Sequence, residues 1–409
     1  MKTVQSDLTF EKDKIVKVYN KSFKFYNVKN FKSECNVIKR MSDSKYCVKV
    51  WNFTDNGYTM ERLDFSLGDD RELNTYDMRR VFFSLGLESI LNMLDDMLRD
   101  LQHYGVNHRD INPGNILWDE KNQTLKFTDF AWSQLIDSPI ECPGAVNHIY
   151  TTNDEHAILK IKNEITAVYK EMEPQLEMIY NQFQDQVAKD VHVVGKGRNG
   201  KVEGPYSDGS SIRRGWSYHI VDIPYFRKIQ AHKNTCVDEY KLIKASLPIA
   251  PTSVLDIGCS AGYQIFNFLR DFDIRTAYGF ENDPAVLNFL KSVVKLYCLD
   301  EITLQQTFTD QTSLSDVDVA IWLNSHMWVY KQLGKEKTLQ AVRNVINRSK
   351  VLFFQTAGDY SSSIYKVTEY KNANDVKNML QSAGGVHVTS LQTIVGMHGA
   401  PRDMFMVTK

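Results

Sequence analysis

Hydrophobic and polar positions follow three regimes along the 409-residue chain. From Met1 to about Cys142, short strand-like runs such as DKIVKVYN and YTMERLD lead into one helix and then a strand–turn–strand unit, ILWDEKNQTLKF. From about Asn153 to Asp190 there is no glycine. There Ile158, Ile161, Ile165, Val168, Met172, Leu176, Ile179, Phe183 and Val187 recur at threes and fours, which places them on one helical face. Asn153 and Asp154 offer side-chain oxygens to cap its start. Pro174 predicts a kink or a break near Glu173, because it has no amide hydrogen to donate. The apolar stripe fits a coiled-coil seam or packing against a neighbouring domain; packing is preferred, and a homo-oligomer through this helix is the alternative. From about Pro251 onward strands alternate with amphipathic helices, the pattern of a doubly wound α/β domain. The resulting plan is one domain over residues 1–145, a helical connector over 146–194 and a second domain over 195–409. There are no internal repeats.

Composition narrows the function classes. Hydrophobic residues make up 43% and charged residues 24%, the balance of a globular protein. A formal charge of −1 with interleaved signs lacks the broad basic surface of a nucleic-acid binder, so RNA methylation is disfavoured. Six cysteines without a CxxC pair read as reduced, mostly buried thiols rather than metal ligands or a disulfide frame. No signal-peptide core opens the chain and no apolar run is long enough to span a bilayer, so a cytoplasmic setting without a membrane span is expected.

Two stretches carry candidate chemistry. NHRDINPGNILWDEKNQTLKFTDFAWS (Asn107–Ser133) places Asp110, Asn115 and Asp129 around a predicted strand–turn–strand. Phosphoryl transfer needs charge neutralisation and positioning more than covalent chemistry. A loop Asp orients the attacking hydroxyl, and two oxygen donors hold Mg²⁺ against the phosphates. This segment resembles the catalytic loop and metal-binding Asp of the protein-kinase-like fold. The resemblance implies ATP and Mg²⁺, with Asp110 on the hydroxyl and Asn115 and Asp129 on the metal. It also implies Lys17 as the phosphate-binding lysine, Glu34 in FKSECNVIKRM as its partner, and an adenine hinge around Met60–Leu63. No glycine precedes Gly57, Ala131 follows Asp-Phe, and no Ala-Pro-Glu segment follows. The peptide-holding lobe is thus truncated, and a glycan or small-molecule hydroxyl is the expected acceptor.

VLDIGCSAG, from Val254, reads as a strand, a glycine turn and a helix. Glycines at Gly258 and Gly262 let backbone approach a ligand closely. The spacing is D-x-G-x-x-x-G rather than the dinucleotide G-x-G-x-x-G. With Glu281 ending the next strand, it resembles the Rossmann-like S-adenosylmethionine-dependent methyltransferases. The resemblance implies that Asp256 to Gly262 lie against the methionine part, Glu281 holds the ribose, and Asp310 contacts adenine. DVDVAIWLNSHMWVY then supplies the fourth strand and its exit loop, and a hairpin from TSLQTIVGM to DMFMVTK closes the sheet. Methyl transfer is a direct displacement governed by positioning, with a base required only if the acceptor must lose a proton. His326 is the candidate base, against the alternative of a structural histidine. Trp216, Tyr218 and His219 are candidates for the acceptor wall. The basic residues Lys196, Arg198, Lys201, Arg213 and Arg214, in the Gly195–His219 loop, are candidates for covering an anionic substrate or for a solvated linker.

The whole chain therefore resembles the bifunctional kinase–methyltransferases that cap bacterial O-antigen polysaccharides, with the order of the two halves reversed. The expected fold is an α+β kinase-like domain, two-lobed with a truncated C-lobe, then a helical linker and an α/β Rossmann-like methyltransferase domain. The expected activity is phosphorylation of a glycan or small molecule followed by methylation of the product. The alternative is a methyltransferase with a regulatory pseudokinase domain.

Overall fold

A computed structural model describes residues 6–19, 28–138, 153–190, 217–229, 231–233, 235–356, 367, 369–395 and 401–409. Two compact units divide the chain, Met1–Pro174 and Gln175–Lys409. Cys142, Trp216, the Tyr218 side chain and the basic residues from Lys196 to Arg214 lie outside the described residues.

The first unit opens on β1 (Ser6–Phe10) and β2 (Lys14–Tyr19), followed by α1 (Val28–Arg40), β3 (Val50–Trp51) and β4 (Gly57–Glu61). The four strands form an antiparallel sheet in the order β1-β2-β4-β3, with Lys17 opposite Tyr58. On α1, Phe31, Glu34, Cys35 and Ile38 are buried, the i, i+3, i+4, i+7 spacing of one helical face. Next come β5 (Phe65–Ser66), α2 (Thr75–Ser84), α3 (Leu87–His103), β6 (Val106–Asn107), β7 (Ile116–Asp119), β8 (Thr124–Phe127) and β9 (Gln134–Leu135). Strands β7 and β8 form the expected hairpin. Helix α3 buries Ile90, Leu94, Met97 and Leu101.

Helix α4 (Asp154–Asp190) contains Pro174 but is not ended by it. Met172 and Leu176 on either side are 1% and 0% exposed, and this burial offsets the one lost backbone hydrogen bond. In the first unit its stripe is covered at Ile158, Ile161 and Ile165, and Lys162 pairs with Asp95 at 2.7 Å. In the second unit Phe183 packs on Phe289, ring centroids 4.7 Å apart. No helix of the described residues is long and apolar enough to cross a membrane.

The second unit continues through β10 (Ser217–His219), β11 (Ala231–Lys233), α5 (Thr235–Ser246), β12 (Ser253–Ile257), α6 (Tyr263–Asp271), β13 (Thr276–Phe280), α7 (Pro284–Leu296) and β14 (Ile302–Gln305). It ends with β15 (Val317–Leu323), α8 (His326–Leu333), α9 (Lys335–Arg348), β16 (Ser349–Gln355), α10 (Ala373–Ser382), β17 (His387–Val395) and β18 (Pro401–Thr408). Seven strands make one sheet in the order β14-β13-β12-β15-β16-β18-β17. The first five are parallel, and β18 runs antiparallel to both β16 and β17. All seven residues of β15 are buried, as a central strand covered on both faces requires. The order reverses between β12 and β15, and in open α/β sheets the crevice beyond the carboxyl ends at such a switch point is where ligands bind.

Two candidate functional sites

In the first unit Lys17, Glu34 and Asp129 meet. Lys17 is 5% exposed, and its Nζ donates to Glu34 Oε1 at 2.8 Å and to Asp129 Oδ1 at 2.7 Å. Tyr58, opposite on β4, donates its hydroxyl to the same Glu34 oxygen at 2.7 Å. Burial and the facing Glu34 push that phenol well up. Desolvation alone would raise the Asp129 carboxyl, yet the neighbouring Lys17 ammonium holds it below the usual carboxylate value. Asp129 also sits at φ 54°, in the left-handed region, a conformation that costs a non-glycine residue on the order of 1 kcal/mol or more.

The loop Asp110–Asn115 folds on itself. Asn115 Nδ2 donates to the Asp110 carbonyl at 2.8 Å, and Asn112 Nδ2 donates to Asp110 Oδ1 at 3.1 Å. The Thr128 amide donates to the Asn115 carbonyl at 3.0 Å, which brings Asn115 beside the residue preceding Asp129. Buried His108 ties the loop to the same strand end, its Nε2 3.0 Å from the Thr128 carbonyl and its ring 4.8 Å from that of Phe130. Asp154 does something the sequence reading missed. Its two carboxylate oxygens accept from the backbone amides of His108, at 2.6 Å, and Arg109, at 2.8 Å. The helix start is capped by Asn153 instead, whose Oδ1 accepts from the His156 amide at 2.8 Å. An Asp at a helix start reads as a cap in sequence, so nothing local could have revealed this contact.

In the second unit the loop after β12 is shaped by backbone. Gly258 and Gly262 have φ 81° and 79°. A Cβ on Gly258 would stand 2.5 Å from Ser325 Cβ, and one on Gly262 would stand 2.8 Å from the Phe266 ring. Ser325 Oγ donates to the Ile257 carbonyl at 2.7 Å, fastening the exit of β15 to the exit of β12. Glu281 accepts from the Ser260 and Asp283 amides, both at 2.8 Å; burial still raises its carboxyl. Asp256 is 3% exposed. Burial, with Glu281 and Glu239 facing it, pushes its carboxyl up to about 8. Asp310 Oδ2 accepts from the side-chain amide of Gln311 at 3.1 Å, and its carbonyl accepts from Asn344 of α9 at 3.0 Å.

Residues 9–154 match the protein kinase domain. The first unit thus carries a kinase-like domain, which supports a transferase. Among solved structures, the bifunctional kinase–methyltransferase WbdD is similar at 14% identity and a TM-score of 0.39, over 47% of this chain and 44% of that one. The N-terminal domain of EvdMO1, solved with SAH and D-fucose, is similar at 12% identity and a TM-score of 0.34, over 44% of this chain and 84% of that one. A SAM-dependent methyltransferase from Aquifex aeolicus is similar at 14% identity and a TM-score of 0.32, over 42% and 90% respectively. The chain matches less than half the length of the bifunctional protein. No curated protein sequence matches the chain.

His326 stands apart from every other candidate. It is 0% exposed and enclosed by the rings of Trp322, Tyr330, Phe354 and Tyr370 at centroid distances of 5.6, 6.3, 5.0 and 5.9 Å. Burial pulls its imidazole down to about 3. The sequence leaves a candidate base and a structural histidine open; this enclosure by aromatic rings favours the structural alternative. Beside it in sequence, Asn324 is held from two sides. Its Nδ2 donates to Glu239 Oε1 of α5 at 3.1 Å, and its Oδ1 accepts from Arg402 Nη1 of β18 at 2.7 Å. Neither Glu239 nor Arg402 lies in a motif, and their separation from Asn324 along the chain leaves no spacing signal.

Proposed function

We propose that the protein is a two-site transferase, built as a kinase-like domain over residues 1–145, a helical connector over 146–194 and a Rossmann-like methyltransferase domain over 195–409. The first site transfers a phosphoryl group from ATP to a hydroxyl of a glycan or small molecule. The second site methylates the product with S-adenosylmethionine. The observation that carries the first activity is the Lys17 ammonium held between Glu34 and Asp129, a cation positioned for phosphates within reach of a carboxylate. Supporting the second are the seven-stranded order and the glycine loop Asp256–Gly262 at its switch point, where such sheets bind ligands.

In the first site Lys17 neutralises phosphate charge while Glu34 fixes its side chain. Asp110 receives the acceptor hydroxyl, on a loop that Asp154 anchors through two backbone amides. Asn115 and Asp129 would hold Mg²⁺; an amide oxygen and a carboxylate are the hard donors this ion takes alongside substrate phosphates. When bound, the ion neutralises charge between the phosphates. In the second site Gly258 and Gly262 admit the methionine part to close backbone approach, and Glu281, at the end of β13, receives the ribose diol. Asp310 is assigned to the adenine side.

Calorimetric titration of ATP, with and without Mg²⁺, into the wild type and Asp129→Asn tests the first site, and titration of S-adenosylmethionine tests the second. Metal-dependent ATP binding lost in Asp129→Asn is expected. ATP binding indifferent to both metal and substitution would make the first domain a regulatory pseudokinase.

A further inference from the structure

Asn112, two residues beyond Asp110, is 5% exposed, whereas Asp110 itself is half-buried. Pro113 follows it, and a proline ring clashes with a helical residue on its amino side. Asn112 is accordingly extended, at φ −150° and ψ 167°. Its side-chain amide makes contacts at both ends. The Oδ1 accepts from the Asn115 amide at 3.1 Å and so caps the short turn Pro113–Asn115. The Nδ2 donates to the Asp110 carbonyl at 3.2 Å and to Asp110 Oδ1 at 3.1 Å.

The direction of this amide follows from its partners. A main-chain N–H only donates, so the Asn112 oxygen must face Asn115, which turns the NH₂ toward Asp110. Asn112 and Asn115 thus act differently on the same residue. Asn115 Nδ2 holds the Asp110 main chain through its carbonyl, while Asn112 also reaches the carboxylate. On the other side of Asp110, Asp154 holds the amides of His108 and Arg109. The main chain is therefore pinned before and after Asp110, and Asn112 extends that pinning to the side chain. A donor on one carboxylate oxygen makes a charge-assisted bond and restrains rotation of the group. Such restraint matters because proton transfer needs the hydroxyl and the carboxylate oxygen within about 2.6–3.2 Å.

We propose that Asn112 is a positioning residue for phosphoryl transfer, holding the Asp110 carboxylate in the orientation that receives the acceptor hydroxyl. The inference rests on the reading of the first unit as a phosphotransferase. It gives the two ends of one amide separate roles: the oxygen caps the turn, and the nitrogen braces Asp110.

The test uses the full chain, with ADP release from Mg²⁺–ATP as turnover, water as the acceptor hydroxyl, and calorimetric titration of ATP alongside. Asn112→Ser and Asn112→Asp both keep an oxygen for the cap, since Asn, Asp and Ser cap about equally well. Both lose the NH₂, and only the second adds a charge. Turnover at saturating ATP is expected to fall at least tenfold in each, with ATP affinity within threefold of wild type. A residue serving only as a cap would leave turnover unchanged. Wild-type turnover in either variant overturns the proposal, as does a loss of ATP affinity large enough to account for the fall. Asp110→Ala supplies a second readout. Adding Asn112→Ser to it should lower turnover no further, because a residue that acts through Asp110 then has nothing to position. Losses that multiply in the double variant overturn the proposal. Should Asn112→Ser fail to fold, Asn112→Asp decides by the same criteria, alone and combined with Asp110→Ala. A wild type that binds Mg²⁺–ATP and releases no ADP removes the phosphotransferase reading itself, and the inference with it; that failure shows before any variant is compared.

Discussion

In the first unit the buried Lys17 ammonium lies 2.8 and 2.7 Å from two carboxylates, whereas in the second unit the buried Asp256 carboxyl faces the further carboxylates Glu281 and Glu239. The first arrangement repeats nearby, where Lys126, 4% exposed, pairs with Glu61 and Asp119, each at 2.8 Å. Opposite charges brought together out of water keep their charges; like charges brought together shed one by taking up a proton. The kinase-like unit thus organises its site with ion pairs between its own side chains. At the carboxyl edge of the second unit the backbone does this work, through left-handed glycines and a serine packed on Gly258. Some of its buried side-chain atoms there, Asp256 Oδ2 and Gln355 Oε1 among them, have no hydrogen-bond partner among the described residues. The difference separates a site organised around an internal cation from one with buried polar atoms that have no hydrogen-bond partner among the described residues.

Asp256 gives the largest expected break in this comparison. Between the ordinary Asp value and about 8, the folded protein holds a proton that the unfolded chain has released. Stability therefore falls as pH rises through that window, by up to about 5 kcal/mol for a shift of roughly four pH units. Asp256→Asn removes this term. The variant gains stability relative to wild type progressively from pH 4 to pH 8, measured by hydrogen exchange of the β12 amides, while losing affinity for S-adenosylmethionine. A difference that stays flat with pH would mean that Asp256 is ionised and paired in the folded protein.

Lys17→Met probes the opposite case. It leaves Glu34, 0% exposed, with the Tyr58 hydroxyl and without its cation, a loss of about 3–5 kcal/mol from the first unit. Lys17→Met combined with Glu34→Gln removes the stranded charge and recovers most of that stability, but not phosphoryl transfer. Thermal unfolding of the two variants separates the cost of the buried charge from the loss of the group proposed to bind phosphate. Equal melting temperatures for the single and double variants would show that Glu34 is not carrying an uncompensated charge.

What was legible in the sequence follows from how local each signal is. The β7–β8 hairpin, the buried strand β15 and the β17–β18 hairpin announce themselves in the periodicity of a few residues. The order of Lys17, Glu34 and Asp129 around a fixed-spacing motif was enough to expect their neighbourhood, although no single one of them is distinctive. Asp154 was visible only as a helix start, because its contact with residues 45 and 46 positions earlier depends on tertiary packing. Asn324 and Arg402 are 78 residues apart and meet only because β18 returns antiparallel along β16. The enclosure of His326 is hidden from the sequence for a related reason. Its place after β15 suggested access, while the rings that enclose it come from β15, α8, β16 and the segment before α10. Local pattern predicts which element a residue belongs to; it says little about what arrives from elsewhere to cover that residue.

The smallest expected effect tests whether the first site depends on its frame as well as its charges. Asp154→Ala removes both acceptors from the His108 and Arg109 amides, of which Arg109 is held at φ 65°. Hydrogen bonds to a charged acceptor contribute about 1.5–3 kcal/mol each when made, and the left-handed residue relaxes when they are lost. The helix start itself keeps its Asn153 cap, so the damage should be confined to the loop carrying Asp110. A loss of roughly 2 kcal/mol in unfolding free energy is expected. ATP affinity should hold within threefold, because Lys17, Glu34 and Asp129 are untouched, while turnover of ATP falls at least tenfold. Asn153→Ala is the matching control: it weakens the helix start by about 1 kcal/mol and leaves turnover nearly unchanged. Equal losses of turnover in the two variants would mean that the loop responds to the helix as a whole, and that the Asp154 carboxylate is not what positions Asp110.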